Sequence, residues 1–290
     1  MKFNVLDTYS TYQKLLGADN AEARQSIFDE ELVKPFEGLI QVMGGGDPQT
    51  FKQWGMWPEQ FDSENGPTMA ARIKKLAEHN AWQKAADALK DGKAAFVDYL
   101  EHIPTEVITF GLMVIEMGNV PLERGYSGFG AIPGYIMTVY GEPNAYNLAR
   151  LKGATAHELH HNILAAAKPE TPMISNVGTY MIAEGLAESF AKELYGEDVL
   201  GYYVTEITDA EIETAKQKIH DALWVSGFNE VRKYIFGDTI MGSEDGIPDF
   251  AGYAIGYRVV QAYLQKTGKS VVEATFVAHE ELIAESGYFD

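Results

Sequence analysis

The chain has no cysteine. Without thiols it can form neither a disulfide framework nor a metal site of cysteine ligands, and it has no cysteine nucleophile. Any metal centre in this sequence must therefore be built from histidine nitrogens and oxygen ligands.

Long hydrophobic runs are absent as well. The longest apolar stretch, residues 108–115, contains Thr109 and is far shorter than the ~20 residues that a membrane-spanning helix needs. The N-terminus reaches an acidic residue at Asp7 without an apolar stretch of signal-peptide length. We therefore expect a cytoplasmic protein with no membrane partner.

Basic residues are scarce. The chain has 23 lysines and arginines against 42 aspartates and glutamates, which gives a formal net charge of −19. A surface of this sign repels phosphate backbones, so we expect no nucleic-acid partner. Hydrophobic residues make up 46% of the chain and charged residues 22%, which is typical of a folded globular protein rather than a disordered one.

The pattern of apolar residues changes near residue 100. Before that point apolar residues recur at helical spacing, most clearly in residues 81–100. Two short apolar runs follow, 106–116 and 135–140, and both predict strands. The remaining segments predict helices, at 145–167, 177–195, 209–223, 228–236, 250–266 and 270–284. We therefore predict an α+β protein, in which a helical N-terminal region, 1–100, precedes a domain of sheet and helices, 101–290.

One motif within the predicted helix 145–167 contains side chains that can bind a metal ion and catalyse a reaction. His157, Glu158 and His161 form His-Glu-x-x-His, and residues four apart in a helix lie on one face with Cβ atoms about 5–6 Å apart. Both imidazoles can therefore bind one zinc ion, while Glu158 is positioned as a general base beside the metal's water. Two alternatives are a chance histidine cluster on a surface helix and ligation by His160 in place of His157.

A site with two histidines needs a third protein ligand if one position is to remain open for water. Glu184 follows in the predicted helix 177–195, and Glu188 shares its helix face. Acidic residues on a largely apolar helix are costly to bury unless a cation or hydrogen bonds compensate. Glu184 is therefore the candidate ligand. The alternative is an acidic stripe that faces solvent and also includes Glu193 and Glu197.

These segments resemble those of the gluzincin metallopeptidases, in which a glutamate of a second helix is the third zinc ligand. Residues 100–285 are similar, more narrowly, to a bacterial family described as predicted zinc-dependent proteases of unknown function. The resemblance rests on three segments: Ala156 to His161, Glu184 to Glu188, and Gly252 to Tyr257. It implies a zincin-like metallopeptidase domain over residues 101–290.

The resemblance also implies roles for further residues. Glu188 matches an acid that orients the first histidine from behind, and such contacts fix the imidazole tautomer. Tyr253 or Tyr257 becomes the favoured donor to the oxyanion of the reaction. Core tyrosines with satisfied hydroxyls are the alternative, and His220 is a second candidate donor. An edge strand near the metal would pair with the substrate backbone, and residues 134–140 are either that edge or an interior strand.

The function that follows is hydrolysis of peptide bonds by a metal-activated water, with Glu158 as general base and Zn²⁺ as cofactor. The expected partner is a peptide or protein substrate. The alternative is a catalytically silent zinc-binding regulatory module with a metallopeptidase fold. A helical protein without a metal is the third possibility.

Overall fold

The computed structural model describes residues 1–47, 49–116 and 123–290, which divide into two units. The first unit comprises Met1–Asp91 and Thr105–Glu158, and the second comprises Gly92–Pro104 and Leu159–Asp290. A sheet and many helices are both present, which confirms the predicted α+β class. The sequence-based division at residue 100 stays a prediction.

The first unit contains the strands and the N-terminal helices. In chain order its elements are β1 (Lys2–Val5), α1 (Thr8–Leu16), α2 (Ala21–Phe28), α3 (Glu37–Gly44), α4 (Thr50–Gln53), α5 (Gly66–Glu78), α6 (Ala81–Ala95), β2 (Val107–Val114), β3 (Tyr126–Phe129), β4 (Tyr135–Tyr140), α7 (Ala145–Ala149) and α8 (Leu151–Ala167). Helices α6 and α8 continue into the second unit.

All regular elements of the second unit are helices among its described residues. Its elements are α9 (Val177–Tyr195), α10 (Tyr202–Thr205), α11 (Asp209–Ala222), α12 (Phe228–Phe236), α13 (Asp238–Met241), α14 (Ala251–Thr267), α15 (Val271–Thr275) and α16 (His279–Ser286). The helices predicted at 177–195 and 228–236 are confirmed with these bounds. The helix predicted at 145–167 is interrupted at Arg150, where α7 ends and α8 follows.

The sheet of the first unit has the strand order β1-β2-β4-β3. Strand β2 pairs in parallel with β1 and with β4, whereas β3 runs antiparallel to β4. Ile108, Phe110 and Leu112 of β2 are each at most 1% exposed, so the central strand contributes core residues along its length. This burial explains its almost continuous apolar sequence.

The structure decides between the two alternatives for residues 134–140. Strand β4 lies between β2 and β3, so it is an interior strand and the edge-strand interpretation is wrong. Among the described residues, β3 and β1 stand at the two edges of the sheet. Strand β3 arises from a glycine-rich segment, and β1 is short and largely exposed, so neither has the apolar pattern that predicts a strand.

Helices α9 and α14 form the centre of the second unit. Gly185 of α9 lies against the backbone of Gly256 in α14, and Gly256 lies against the carbonyl of Met181. A methyl group at either glycine would overlap backbone atoms, so glycine at both positions allows the two helices to approach closely.

No helix among the described residues is long and apolar enough to cross a membrane.

Candidate metal centre

Helix α8 supplies two histidines from a fully buried stretch. Residues 155–164 are all buried, which agrees with the apolar residues around the motif and excludes the surface-helix alternative. His157 and His161 are 7% and 5% exposed. Because they lie four positions apart, their side chains emerge from the same face of the helix, one turn from each other.

Helix α9 supplies the carboxylate. Its first turn is capped by Asn176, whose Oδ1 accepts a hydrogen bond of 2.8 Å from the Thr179 amide. The helix ends at Tyr195, and the next residue, Gly196, has φ of 83°, which glycine adopts without strain. Glu184 and Glu188 lie in the middle of this helix and are 3% and 2% exposed. The solvent-facing acidic stripe is therefore excluded for both.

The donor atoms of His157, His161 and Glu184 form a compact group. One ligand atom from each residue lies within 4.8 Å of the other two. Nε2 of His161 is 3.3 Å from Oε2 of Glu184. Two donors bound at about 2.0–2.1 Å to one tetrahedral zinc ion stand about 3.3 Å apart, so this pair already has the spacing of two zinc ligands. Two imidazoles and a carboxylate are also a donor set that zinc prefers, and the residues present fit the ion.

Glu158 follows His157 in α8 and is 9% exposed. Strand β3 passes alongside it: a methyl group at Gly128 would overlap the Glu158 carboxylate, and one at Gly130 would overlap the Glu158 carbonyl. Glycine at these positions thus lets the strand lie directly against the helix. In the sequence this contact is marked by the cluster of glycines before β4. Nothing in the sequence alone links those glycines to Glu158.

Glu188 lies one helical turn beyond Glu184. Its Oε1 accepts a hydrogen bond of 3.3 Å from the Gly201 amide, and the residue is buried. The group of possible metal ligands includes Glu184 and not Glu188. The two acids therefore have different surroundings, although the sequence presents them at equivalent positions of one helix face.

The other histidines have separate surroundings. Nε2 of His160 is 3.0 Å from the Thr275 hydroxyl, and its ring contacts Phe190 with the centroids 5.4 Å apart. His160 thus faces the core of the second unit, and it is not in the ligand group. His220 is exposed and its ring stacks on Phe289 at a centroid distance of 4.9 Å.

The two tyrosines of α14 differ in what they contact. The Tyr257 hydroxyl accepts a hydrogen bond of 3.0 Å from Lys192, which lies two turns beyond Glu184 in α9. Tyr253 is half-buried, and its ring centroid is 4.8 Å from that of Tyr203. The hydroxyl of Tyr257 is therefore held by a lysine, whereas the ring of Tyr253 belongs to a group of aromatic side chains.

Two buried histidines and a buried glutamate within ligand distance define a protein able to hold one divalent metal ion in a nitrogen and oxygen site. The chain belongs to the family described as predicted Zn-dependent protease (DUF2268), whose sequence model matches residues 81–284. It is also similar to the uncharacterized protein YjfC of Bacillus subtilis strain 168, with 33% identity over 298 residues and 97% of each chain covered. No solved structure matches the chain.

Proposed function

We propose that the protein is a zinc-dependent peptidase of the gluzincin type, with His157, His161 and Glu184 as the zinc ligands and Glu158 as the general base. The observation that carries the proposal is the buried ligand group beside Glu158, whose donor atoms lie within 4.8 Å of one another. A structural zinc site has four protein ligands and no use for a neighbouring carboxylate, so a three-residue group favours catalysis over a structural role.

Each group of the proposed site has a separate role in hydrolysis. Zinc held by the three ligands would polarise the scissile carbonyl and make water acidic enough to attack near neutral pH. The Glu158 carboxylate accepts the proton of the attacking water and passes it to the departing amine. A tyrosine hydroxyl donates to the developing oxyanion. Tyr253 and Tyr257 are both candidates for that donor, because the Tyr257 hydroxyl accepts a hydrogen bond from Lys192 and keeps its own proton to donate.

The substrate we propose is a peptide in extended conformation. Strand β3 stands at an edge of the sheet among the described residues and runs directly against Glu158. A peptide that pairs with such an edge would bring its backbone to the general base, with main-chain hydrogen bonds that do not depend on side-chain identity. This assigns to β3 the role that the family resemblance offered, as one of two alternatives, for residues 134–140.

The experiment that tests the function is Glu158→Gln, with cleavage of a mixed peptide library as the readout. Glutamine keeps the size of the side chain and removes its basicity, so zinc content and thermal stability should remain. The cleavage rate should fall by at least ~10²–10⁴-fold, as for loss of a general base. The matched control is Glu213→Gln on the exposed side of α11, which should cleave at the unaltered rate.

Two outcomes would contradict the proposal. Equal cleavage by the unaltered and Glu158→Gln proteins, both fully loaded with zinc, would identify a contaminating protease. No cleavage of any library peptide by the zinc-loaded unaltered protein would favour the alternative function, a catalytically silent zinc-binding regulatory module.

A further inference from the structure

Six aromatic side chains of the second unit form a continuous cluster. Neighbouring ring centroids lie between 4.8 and 6.1 Å apart, in tilted or edge-to-face arrangements that aromatic pairs prefer. The rings come from α9, α10, α12 and α14 and from the residue just before α14. We call the following residues the aromatic cluster: Tyr180, Tyr202, Tyr203, Phe236, Phe250 and Tyr253.

The aromatic cluster flanks the face of α9 that carries Glu184. Tyr180 lies one turn before Glu184, and its ring contacts Phe236 at a centroid distance of 6.1 Å. Glu188 lies one turn after Glu184 and accepts a hydrogen bond from Gly201, which directly precedes Tyr202 in the chain. Contacts to the cluster or to its adjoining backbone therefore lie on both sides of Glu184, over about 12 Å of the helix.

The six rings are not ordinary core residues. Each is half-buried, whereas Phe190 and Tyr263 of the same unit are fully buried. Partly exposed aromatic groups that lie together and contain no charged member are typical of ligand-binding surfaces. The rings themselves carry no charge, and Arg232 lies over one of them, with its guanidinium carbon 5.3 Å from the centroid of the Phe236 ring. Such a surface suits an apolar or aromatic group.

The backbone holds part of the aromatic cluster in a strained conformation. Phe250 has φ of 60°, a left-handed value that bulky residues rarely adopt. Its amide donates a hydrogen bond of 3.0 Å to the carbonyl of Phe236, another member of the cluster. Such strain persists only where surrounding contacts enforce it, and it is concentrated at functional sites.

We propose that the aromatic cluster binds a bulky apolar side chain of the peptide substrate, above all an aromatic one, next to the bond that is cleaved. The inference rests on the proposed peptidase function and adds a substrate preference to it. An aromatic side chain would complete edge-to-face contacts with the half-exposed rings and bury apolar surface, whereas a charged side chain would lose part of its hydration there.

The test compares peptides that differ only at the residues flanking one bond, where phenylalanine, alanine, aspartate or lysine is presented. The unaltered protein should cleave the phenylalanine peptide with the highest kcat/KM. Phe236→Ala and Tyr203→Ala should lower kcat/KM for that peptide by roughly 10- to 100-fold and for the alanine peptide by less than about threefold, since burial of one aromatic side chain is lost. If Phe236→Ala unfolds, Phe236→Leu replaces it in the same assay, because leucine keeps most of the side-chain volume and removes the aromatic ring.

The matched control is Phe289→Ala, which removes a half-buried ring of the same unit that contacts His220 and Tyr288 outside the aromatic cluster. Its peptide preference should equal that of the unaltered protein. A second readout is independent of turnover: the Glu158→Gln protein should bind a fluorescent phenylalanine peptide, and addition of Phe236→Ala should weaken that binding by a similar factor.

The outcomes separate this inference from the function on which it rests. Cleavage without preference for phenylalanine, or with the same preference in Phe236→Ala and Tyr203→Ala, overturns the inference and leaves the peptidase function intact. Absence of all cleavage overturns the function. In that case equal binding of phenylalanine and alanine peptides by the Glu158→Gln protein also overturns the inference, whereas selective binding that depends on Phe236 supports it.

Discussion

At the scale of single residues, Glu184 and Glu188 are alike in sequence and different in surroundings. Glu184 has an oxygen 3.3 Å from Nε2 of His161, and Glu188 accepts a hydrogen bond from the Gly201 amide. Both are buried, where a carboxylate is stable only with compensating charge or hydrogen bonds. A bound cation would satisfy Glu184 directly, and Glu188 would act on the site through its neighbours.

We therefore expect Glu184→Ala to abolish stoichiometric zinc binding, as should His157→Ala and His161→Ala. Glu188→Gln should weaken zinc affinity by ~10–100-fold, which is usual when a group behind a ligand is changed. Metal analysis of the dialysed proteins and competition with a zinc-binding dye measure both effects. Loss of zinc in Glu188→Ala but not in Glu184→Ala would show that the two acids have been assigned in reverse.

His279 is a second residue for which the structure predicts a measurable effect. Its side chain is 4% exposed, and its ring nitrogens have no hydrogen-bond partner among the described residues. Burial, together with the nearby charge of Lys168, lowers the pKa of His279 to about 3 from an ordinary value of 6.5. The unfolded chain takes up a proton below pH 6.5 that the folded protein rejects, so stability falls as pH decreases toward 3.

Because stability depends on the protonation of His279 in the unfolded chain, His279→Leu should reduce the loss of stability at low pH. Between pH 7.5 and pH 5 the unaltered protein should lose up to about 2 kcal/mol more of its free energy of unfolding than the variant does. Urea unfolding at the two pH values measures the difference. The control is His220→Leu, which removes an exposed histidine and should keep the pH dependence of the unaltered protein. The prediction is wrong if His279→Leu also keeps that dependence.

At the scale of secondary-structure elements, the contact between β3 and α8 is the feature on which catalysis would depend. Gly128 leaves space for the Glu158 carboxylate, and a side chain there would displace it. Displacing a general base by about 1 Å can cost ~10²-fold in rate without affecting the metal. The contact therefore makes the position of the Glu158 carboxylate, the proposed general base, depend on the position of strand β3.

Gly128→Ala should lower the cleavage rate of the library peptides by roughly 100-fold while zinc content stays at one ion per chain. Gly17→Ala is the matched control, because a methyl group at Gly17 meets its nearest atom at 3.4 Å, an ordinary contact distance. Both variants are assayed for zinc, thermal unfolding and cleavage. Unchanged cleavage by a folded, zinc-loaded Gly128→Ala protein would mean that β3 does not position Glu158.

At the scale of the whole molecule, the proposed site gathers three buried carboxylates in a chain whose net charge is already −19. A divalent cation at the ligand group would offset part of that charge. Because a ligand that binds only the folded state stabilises it by mass action, metal loading and folding should be coupled.

Zinc removal should therefore lower the thermal stability of the protein. At a free zinc concentration of ~1,000 times Kd the ion would contribute about 4 kcal/mol, which corresponds to a Tm increase on the order of 10 °C for a chain of this size. Scanning calorimetry with zinc, with a chelator and after zinc is restored measures the shift. His161→Ala should have a Tm that does not respond to zinc, and an unaltered protein with the same insensitivity would contradict the prediction.

Much of the site and of the helical framework could be predicted from the sequence because it depends on local periodicity. The spacing of His157, Glu158 and His161 identified one face of a helix, and the interval to Glu184 was sufficient for a loop and a second helix. The bounds of α9 and α12 followed from the same periodicity. The position of a helix and the residues on its buried face can be predicted from side-chain types at helical spacing, because neither depends on which distant segment packs against the helix.

Only the tertiary structure decided the features that depend on contacts between distant segments. Strand β1 is a strand because Lys2 pairs with Val107, and β4 is interior because β3 adds to its other side. The burial of both acids of α9 depends on the helices packed around them, and the aromatic cluster joins rings from separate elements. The sequence by itself determined which residue types recur on one face of a helix. Strand order, burial and the approach of Gly128 to Glu158 were decided by packing, because they depend on contacts that leave no local pattern.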